Sequence, residues 1–262
     1  LLTVVCSQAS VEAAQPVKKS YEPRVGQAGK DVVWVPTPDS LVDKMLDLAK
    51  VTRDDYLIDL GSGDGRTVIT AAKKGARAHG IEYNPDMVEL SKRNAAAEGV
   101  SDKATFAKAD LFESDFSRAT VITMFLLPQI NLKLRPKILD LKPGTRIVSN
   151  TFTMGEWEAD QTSSTTDDCS GYCTALLWIV PAKVDGTWKL SDGELVLKQS
   201  YQTVTGELKM GNRTAPITSG RLRGEEIYLK TDDHEYRGRA SGDTISLTSS
   251  SGGEWKATRA GR

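Results

Sequence analysis

Leu57-Ile58-Asp59-Leu60-Gly61-Ser62-Gly63-Asp64-Gly65-Arg66 is a short apolar strand ending in an acid, followed by three alternating glycines. The apolar stretch Val68-Ile69-Thr70-Ala71-Ala72 comes next and reads as a helix. Glycine suits such a turn because the chain reverses sharply and lets its backbone approach a ligand with no Cβ between them. The spacing is G-x-G-x-G, whereas a dinucleotide fingerprint needs G-x-G-x-x-G, and Arg66 stands where that third glycine would be. NAD and FAD are therefore disfavoured. The strand-end acid Asp59 points instead to a small adenosine ligand with a cationic centre, S-adenosylmethionine (SAM).

Two further acids fall in the same kind of place. Ala78-His79-Gly80-Ile81-Glu82-Tyr83-Asn84-Pro85 reads as a second strand ending in Glu82, 17 residues after Gly65. That is close to the offset at which an acid grips ribose hydroxyls in βαβ nucleotide sites. Asp110 ends a third strand, Ala104-Thr105-Phe106-Ala107-Lys108-Ala109. Acids at the carboxyl ends of three successive strands lie along the crevice where open α/β sheets bind ligands. Any one of them alone could be a helix cap; three beside a glycine turn make a site.

From about Val32 to Trp157 the chain resembles the class I SAM-dependent methyltransferases. The resemblance rests on Trp34-Val35-Pro36-Thr37-Pro38, Asp59 to Arg66, Glu82-Tyr83-Asn84-Pro85 and Phe125-Leu126-Leu127-Pro128-Gln129. These stretches are similar to the branch holding the mitochondrial protein-lysine methyltransferases of the ATP synthase c-subunit and the adenine nucleotide translocase, with their bacterial relatives. The resemblance implies a Rossmann-like α/β sheet with helices on both faces. It also implies a cofactor set of Asp59, Gly61, Ser62, Gly63, Glu82, Tyr83, Asp110 and Leu111. Within that set Asp59, Gly61 and Gly63 surround the methionine part, Glu82 binds ribose and Asp110 lies beside adenine. The resemblance places the loop of Pro36 and Pro38, with the helix that follows it, over the cofactor.

The 262 residues allow one large or two modest domains. With 39% hydrophobic and 26% charged residues the composition is that of an ordinary globular protein. A formal net charge of −1 gives no overall attraction to nucleic acid, so none is expected as a partner. No apolar run is long enough for a transmembrane helix. Leu1-Leu2-Thr3-Val4-Val5-Cys6, followed by small residues up to Pro16, reads as the end of a signal peptide and its cleavage site, implying export to the periplasm or envelope. The alternative is a plain tail. Cys169 and Cys173 flank three residues, a small loop that an exported protein can close with a disulfide. Two thiols with the distant His79 and His234 do not make a metal site.

Residues 1–30 read as leader remnant and irregular lead-in, 31–182 as the SAM-binding domain and 183–262 as a small antiparallel β-domain. In the middle part, strands are predicted at 56–60, 78–82, 104–109, 119–126 and 145–152, with helices near 66–75, 86–98 and 130–141 between them. Asp39 or Ser40 is predicted to cap an earlier helix. The polar stretch from Asp160 to Ser170 reads as a surface loop before a last strand at 175–180. Beyond Pro181 the apolar period becomes two, with turn signals every eight to ten residues or so. Gly220 to Leu229 repeats as Gly238 to Leu247, each copy a strand, a tight turn and a strand, as in a meander or barrel. Trp188 and Trp255 lie near its two ends, placed to plug a closing barrel.

Methyl transfer from a sulfonium needs acceptor and methyl held in line more than it needs acid–base groups. Residues after the fourth strand, Phe125 with Pro128 and Gln129, are the candidates for the acceptor mouth, the Gln129 amide being placed to orient an amine. The Asn-Pro-Pro-Tyr run expected of adenine or glutamine amino-methyltransferases is missing there. The resemblance to the lysine branch implies a protein side chain, lysine above all, as the acceptor and a protein as partner, and the missing nucleobase motif and the near-neutral charge agree. The alternative is a catalytically silent SAM-fold protein that binds partners through its β-domain. Oligomeric state is not legible.

Overall fold

The computed structural model describes residues 21–261; the signal-peptide reading, with Cys6, falls outside them. The first part alternates helix and strand: α1 (Asp39–Leu48), β1 (Tyr56–Leu60), α2 (Arg66–Lys73), β2 (Arg77–Glu82), α3 (Pro85–Ala97), β3 (Ala104–Lys108), β4 (Val121–Met124), α4 (Pro128–Leu139) and β5 (Arg146–Asn150). A hairpin of β6 (Gln161–Ser164) and β7 (Thr174–Ile179) completes it. The seven strands lie in the order β3-β2-β1-β4-β5-β7-β6, parallel from β3 to β5 and antiparallel at β7 and β6. The central strands are apolar almost throughout because both faces are covered. Leu41, Val42, Met45 and Leu46 of α1 pack with Val68, Ala71 and Ala72 of α2 and Val88 of α3 on one side. On the other, Ile130, Leu134 and Ile138 of α4 pack with Phe116, Trp157 and Trp178.

Sheet order reverses at β1, which pairs with β2 on one edge and β4 on the other. That reversal splays the following loops apart and opens a crevice at the carboxyl ends of the strands.

The predicted strands and helices are present with shifts of one to a few residues at their ends. Two expectations change. Residues 161–164, read as loop, are the edge strand β6, whose polar and mostly exposed side chains carry no apolar alternation because only its backbone pairs with β7. Helix α1 has no side-chain cap: Pro38 is its N-cap residue and gives its carbonyl to Leu41 and Val42. The Ser40 hydroxyl instead donates to the Asp167 carbonyl on the β6–β7 tip.

From Gly186 onward every element is a strand: β8 (Gly186–Leu190), β9 (Gly193–Ser200), β10 (Thr203–Met210), β11 (Arg213–Ile217), β12 (Ser219–Arg223), β13 (Glu226–Lys230), β14 (Glu235–Ser241), β15 (Thr244–Ser249) and β16 (Glu254–Arg259). β11 and β12 follow one another along β10, and β9 pairs with both β8 and β10. The ring therefore closes as an eight-stranded antiparallel barrel. The sequence repeat is the pair of hairpins β12–β13 and β14–β15. Its leading glycines are needed for close approach, since a Cβ at Gly238 would sit 1.7 Å from the Ser246 carbonyl oxygen and one at Gly220 2.4 Å from that of Val204. Trp188 is fully buried in the barrel core, while Trp255 is half-buried and packs its ring on Tyr236 at 5.1 Å.

The barrel rests on the sheet edge away from the crevice. Ala182 N–H donates to the Gly224 carbonyl, Gln202 Nε2 to the Glu158 carbonyl at 2.9 Å, and Arg221 pairs with Asp160 at 2.6 Å. Tyr201 stacks on Trp157 with centroids 6.1 Å apart.

Candidate functional site

The turn after β1 is built by the glycines and held from behind. Gly61, Gly63 and Gly65 all have positive φ, the region that favours glycine. Ser91 of α3 donates its hydroxyl to the Gly63 carbonyl at 2.8 Å, and Asn94 donates to the Asp64 carbonyl at 3.0 Å. Arg66 forks onto Asp64 and reaches the Thr37 carbonyl at 3.0 Å, tying the start of α2 to the loop before α1. Neither Ser91 nor Asn94 is readable as a support from sequence, because α3 had first to be docked against the turn.

All eight residues predicted for the cofactor line one cleft. Asp59 is buried, accepts the Thr123 hydroxyl at 2.7 Å and has no ion-pair partner among the described residues. Burial pushes its carboxyl up to about 7, assisted by the nearby Glu82 and Asp64 charges and opposed by the Thr123 bond. Glu82 is oriented by two backbone amides, Oε2 taking the Gly63 N–H at 3.0 Å and Oε1 the Asn84 N–H at 2.9 Å. Each oxygen keeps further lone-pair capacity toward the cleft. Asp110 takes the Phe112 N–H at 2.9 Å and the ammonium of Lys30, which holds its carboxyl below the usual carboxylate range. Ser62 Oγ is buried with no hydrogen-bond partner. Tyr83 is half exposed, under the Lys30 ammonium at 5.0 Å from its ring centroid.

Residues 24–34, whose first half reads as irregular lead-in, form a strap over this cleft. Trp34 N–H donates to the Gln27 carbonyl, Gly26 N–H to that of Trp34, and Ala28 bridges to Val33. Trp34 lies against the glycine turn, so that a Cβ on Gly63 would meet its Nε1 at 2.6 Å. Lys30 at the strap's tip carries no sequence signal, since nothing local marks its partner eighty residues away.

At the other end of the cleft Phe125, following β4, lines the wall as expected. Pro128 and Gln129 do not: they are exposed in the first turn of α4 and absent from the cleft lining. Proline fits that first helical position, and the helix it opens faces Leu127 and Ile130 to the cleft while Pro128 and Gln129 lie on its exposed side. Their place is taken by Phe152, after β5, and Tyr172, in the β6–β7 tip. Phe125 and Phe152 stack at 5.9 Å, and Tyr172 tilts against them at 5.2 and 5.7 Å. Cys169 and Cys173 are joined in a disulfide at the base of that tip.

These features fit SAM on the structure's own terms. A buried carboxyl without a counter-charge favours a cationic ligand, the orphaned Ser62 hydroxyl and the amide-held Glu82 supply hydrogen bonds, and the glycines leave the floor bare. Among the described residues no group of histidine, cysteine and acidic side chains could hold a metal.

Comparison with known proteins agrees. Residues 59–161 match the ANTKMT methyltransferase domain. The chain is 41% identical to a protein-lysine N-methyltransferase of Saccharolobus islandicus, over 57% of this chain and 94% of that one. It is 36% identical to the human lysine N-methyltransferase of the ATP synthase C-subunit, over 48% of this chain and 54% of the human protein, and so spans about half of that relative's length. Among solved structures, a Salinibacter ruber protein described as an RNA methyltransferase, in complex with S-adenosyl-L-homocysteine, is 48% identical with a TM-score of 0.54, covering 57% of this chain and 96% of that one. The match covers nearly the whole of the archaeal and Salinibacter chains, and the matched domain, residues 59–161, ends before the first barrel strand. This chain is a SAM-dependent methyltransferase and belongs to the family defined by the ANTKMT methyltransferase domain.

Proposed function

We propose that the chain transfers a methyl group from SAM to the side-chain amine of a protein lysine. The observation that supports this best is the mouth of the cleft, walled by Phe125, Phe152 and Tyr172, with exposed Asp167 and Asp168 on the same tip. An aromatic wall with acids on the loop that supplies one of its rings suits a long aliphatic side chain ending in a cation. The relatives named as protein-lysine methyltransferases point the same way.

The cofactor, when bound, brings a methyl group on a sulfonium and with it the leaving group. What remains for the protein is holding and exclusion. Asp59 and Ser62 hold the methionine end, Glu82 the ribose hydroxyls and Asp110 with Leu111 the adenine side, while the strap covers them. The acceptor nitrogen must arrive with its lone pair free. Buried Leu126 and Met124 at the inner end of the mouth disfavour the charged amine, whose proton is released to water outside. No side chain is asked to act as a strong base; positioning carries the rate.

RNA is the second reading, favoured by the description of the Salinibacter relative. Asp167 and Asp168, exposed on the loop that carries Tyr172, oppose it, since they repel phosphate. Lysate incubated with methyl-labelled SAM decides: label lost to protease and found in methyl-lysine is the expected result, and label lost to ribonuclease overturns the lysine assignment. Export to the cell envelope is the accompanying proposal for location. It is tested by fractionation of the native host, where recovery in the cytoplasm alone removes it.

A further inference from the structure

The β6–β7 tip has a construction that packing alone does not require. Thr165 N–H donates to the Cys173 carbonyl and closes the tip, the Cys169–Cys173 disulfide cinches its end, and Ser40 of α1 fastens it through the Asp167 carbonyl. Within this short loop two residues other than glycine are left-handed, Asp168 at φ +51° and Tyr172 at φ +60°. That conformation is unfavourable for a bulky aromatic and persists only where its surroundings over-determine it. The result is a tyrosine 47% exposed yet packed on Phe125 and Phe152. A residue placed at such effort and left half in water is not buried core.

The geometry points to Tyr172 as the residue that selects the acceptor, held for that task by the Cys169–Cys173 disulfide. Its ring extends the Phe125–Phe152 wall outward and offers a π-face to an arriving ammonium group. The attraction is between a cation and the ring quadrupole, so it persists on an amine that already carries methyl groups, which keeps its charge while losing N–H donors. The mouth therefore accepts partly methylated lysine as readily as the unmodified side chain. Deprotonation belongs to the apolar inner end, so recognition and loss of charge occur at different depths. This inference rests on the lysine reading above and refines it.

The test uses the full chain saturated with S-adenosylhomocysteine. Two probes are titrated: Nα-acetyl-Nε-trimethyl-lysine methylamide and its uncharged tert-butyl isostere. The charged probe should bind about 2- to 5-fold more tightly, the range of a partly exposed cation–π contact. Tyr172→Phe should keep that preference. Tyr172→Leu, which retains apolar bulk, and the double variant Cys169→Ser/Cys173→Ser should abolish it. S-adenosylhomocysteine titration of each variant reports whether its cleft is folded, and Tyr172→Phe against wild type covers the case in which the others fail to fold. Equal affinity for both probes, or a preference that survives Tyr172→Leu, overturns the assignment. If methyl-lysine is labelled in lysate but no charge preference is found, Tyr172 falls and the lysine function stands. Preference without any methyl-lysine label leaves Tyr172 as an ammonium site and removes the lysine function.

Discussion

Glu82 takes the Gly63 amide on one carboxylate oxygen at 3.0 Å, so the acid of the second strand and the glycine turn of the first form a single unit. Removing that carboxylate strips a ligand group and also leaves two backbone amides without their acceptor. A charged hydrogen bond is worth roughly 1.5–3 kcal/mol, so Glu82→Ala should weaken SAM binding by about 10- to 150-fold. Titration calorimetry checks it. Equal affinities would remove Glu82 from the site.

Asp59 should impose a pH dependence. Its carboxyl is raised to about 7 in the folded chain, above its unfolded value, so its ionisation opposes folding. The cofactor-free protein should therefore lose stability as pH rises from about 4 to about 7, by at most about 4 kcal/mol, and level off above that. Binding of a cationic ligand requires the ionised form, so SAM affinity should rise by up to about tenfold per pH unit toward pH 7 and then flatten. Asp59→Asn should flatten both profiles. A wild-type affinity that is constant between pH 5 and 7 would show that Asp59 does not meet the cation.

Substitution of Gly63 should act through two separable effects. Its φ of +53° disfavours any side chain, costing about 1–2 kcal/mol, and a Cβ would press on Trp34 at 2.6 Å. Gly63→Ala should lower both the melting temperature and SAM affinity. Adding Trp34→Ala relieves the clash but not the backbone strain, so the double variant should regain less than the full stability loss. A Gly63→Ala protein with unchanged affinity would place the cofactor away from this turn.

A chain ending at Ala182 should keep SAM affinity within about twofold of the full chain, because no barrel residue lines the cleft. Exposure of Trp157 on loss of Tyr201 should by itself lower the melting temperature by about 1–6 °C, given about 0.5–1.5 kcal/mol for a stacked aromatic pair. Residues 183–262, expressed alone, should fold but only marginally at that size. Circular dichroism on each piece with calorimetry on the first tests both statements. Lost affinity in a truncation that remains folded would give the barrel a part in the site.

The cofactor half of the cleft was legible because its chemistry is local. Asp59, Glu82 and Asp110 each end a strand that the apolar pattern marks, and the glycines name the turn between them. The barrel was legible for a similar reason, since its repeat is a repeat of hairpins. Of the acceptor half only Phe125 was. Gln129 follows the fourth strand in sequence, but Pro128 starts a helix that carries it outward. Phe152 and Tyr172 arrive from β5 and from a polar hairpin tip, brought to Phe125 by a sheet order that no periodicity encodes; the disulfide could be read from cysteine spacing, but not the wall its loop would join. Lys30 was missed similarly, its partner Asp110 being fixed only once the strap crosses the cleft.

Closure of the barrel has a consequence for how anything can be recognised there. With β9 paired on both sides, the ring closes and leaves an incoming extended peptide little free backbone, the β8–β16 seam pairing only through Thr258 and Arg259. The outer edge of β11 is also open, and Pro216 interrupts it by withholding an amide hydrogen where a visiting strand would need one. A macromolecule that docks on the barrel wall therefore reads mainly its side chains, and the same closure opposes edge-to-edge zipping of neighbouring copies of the chain.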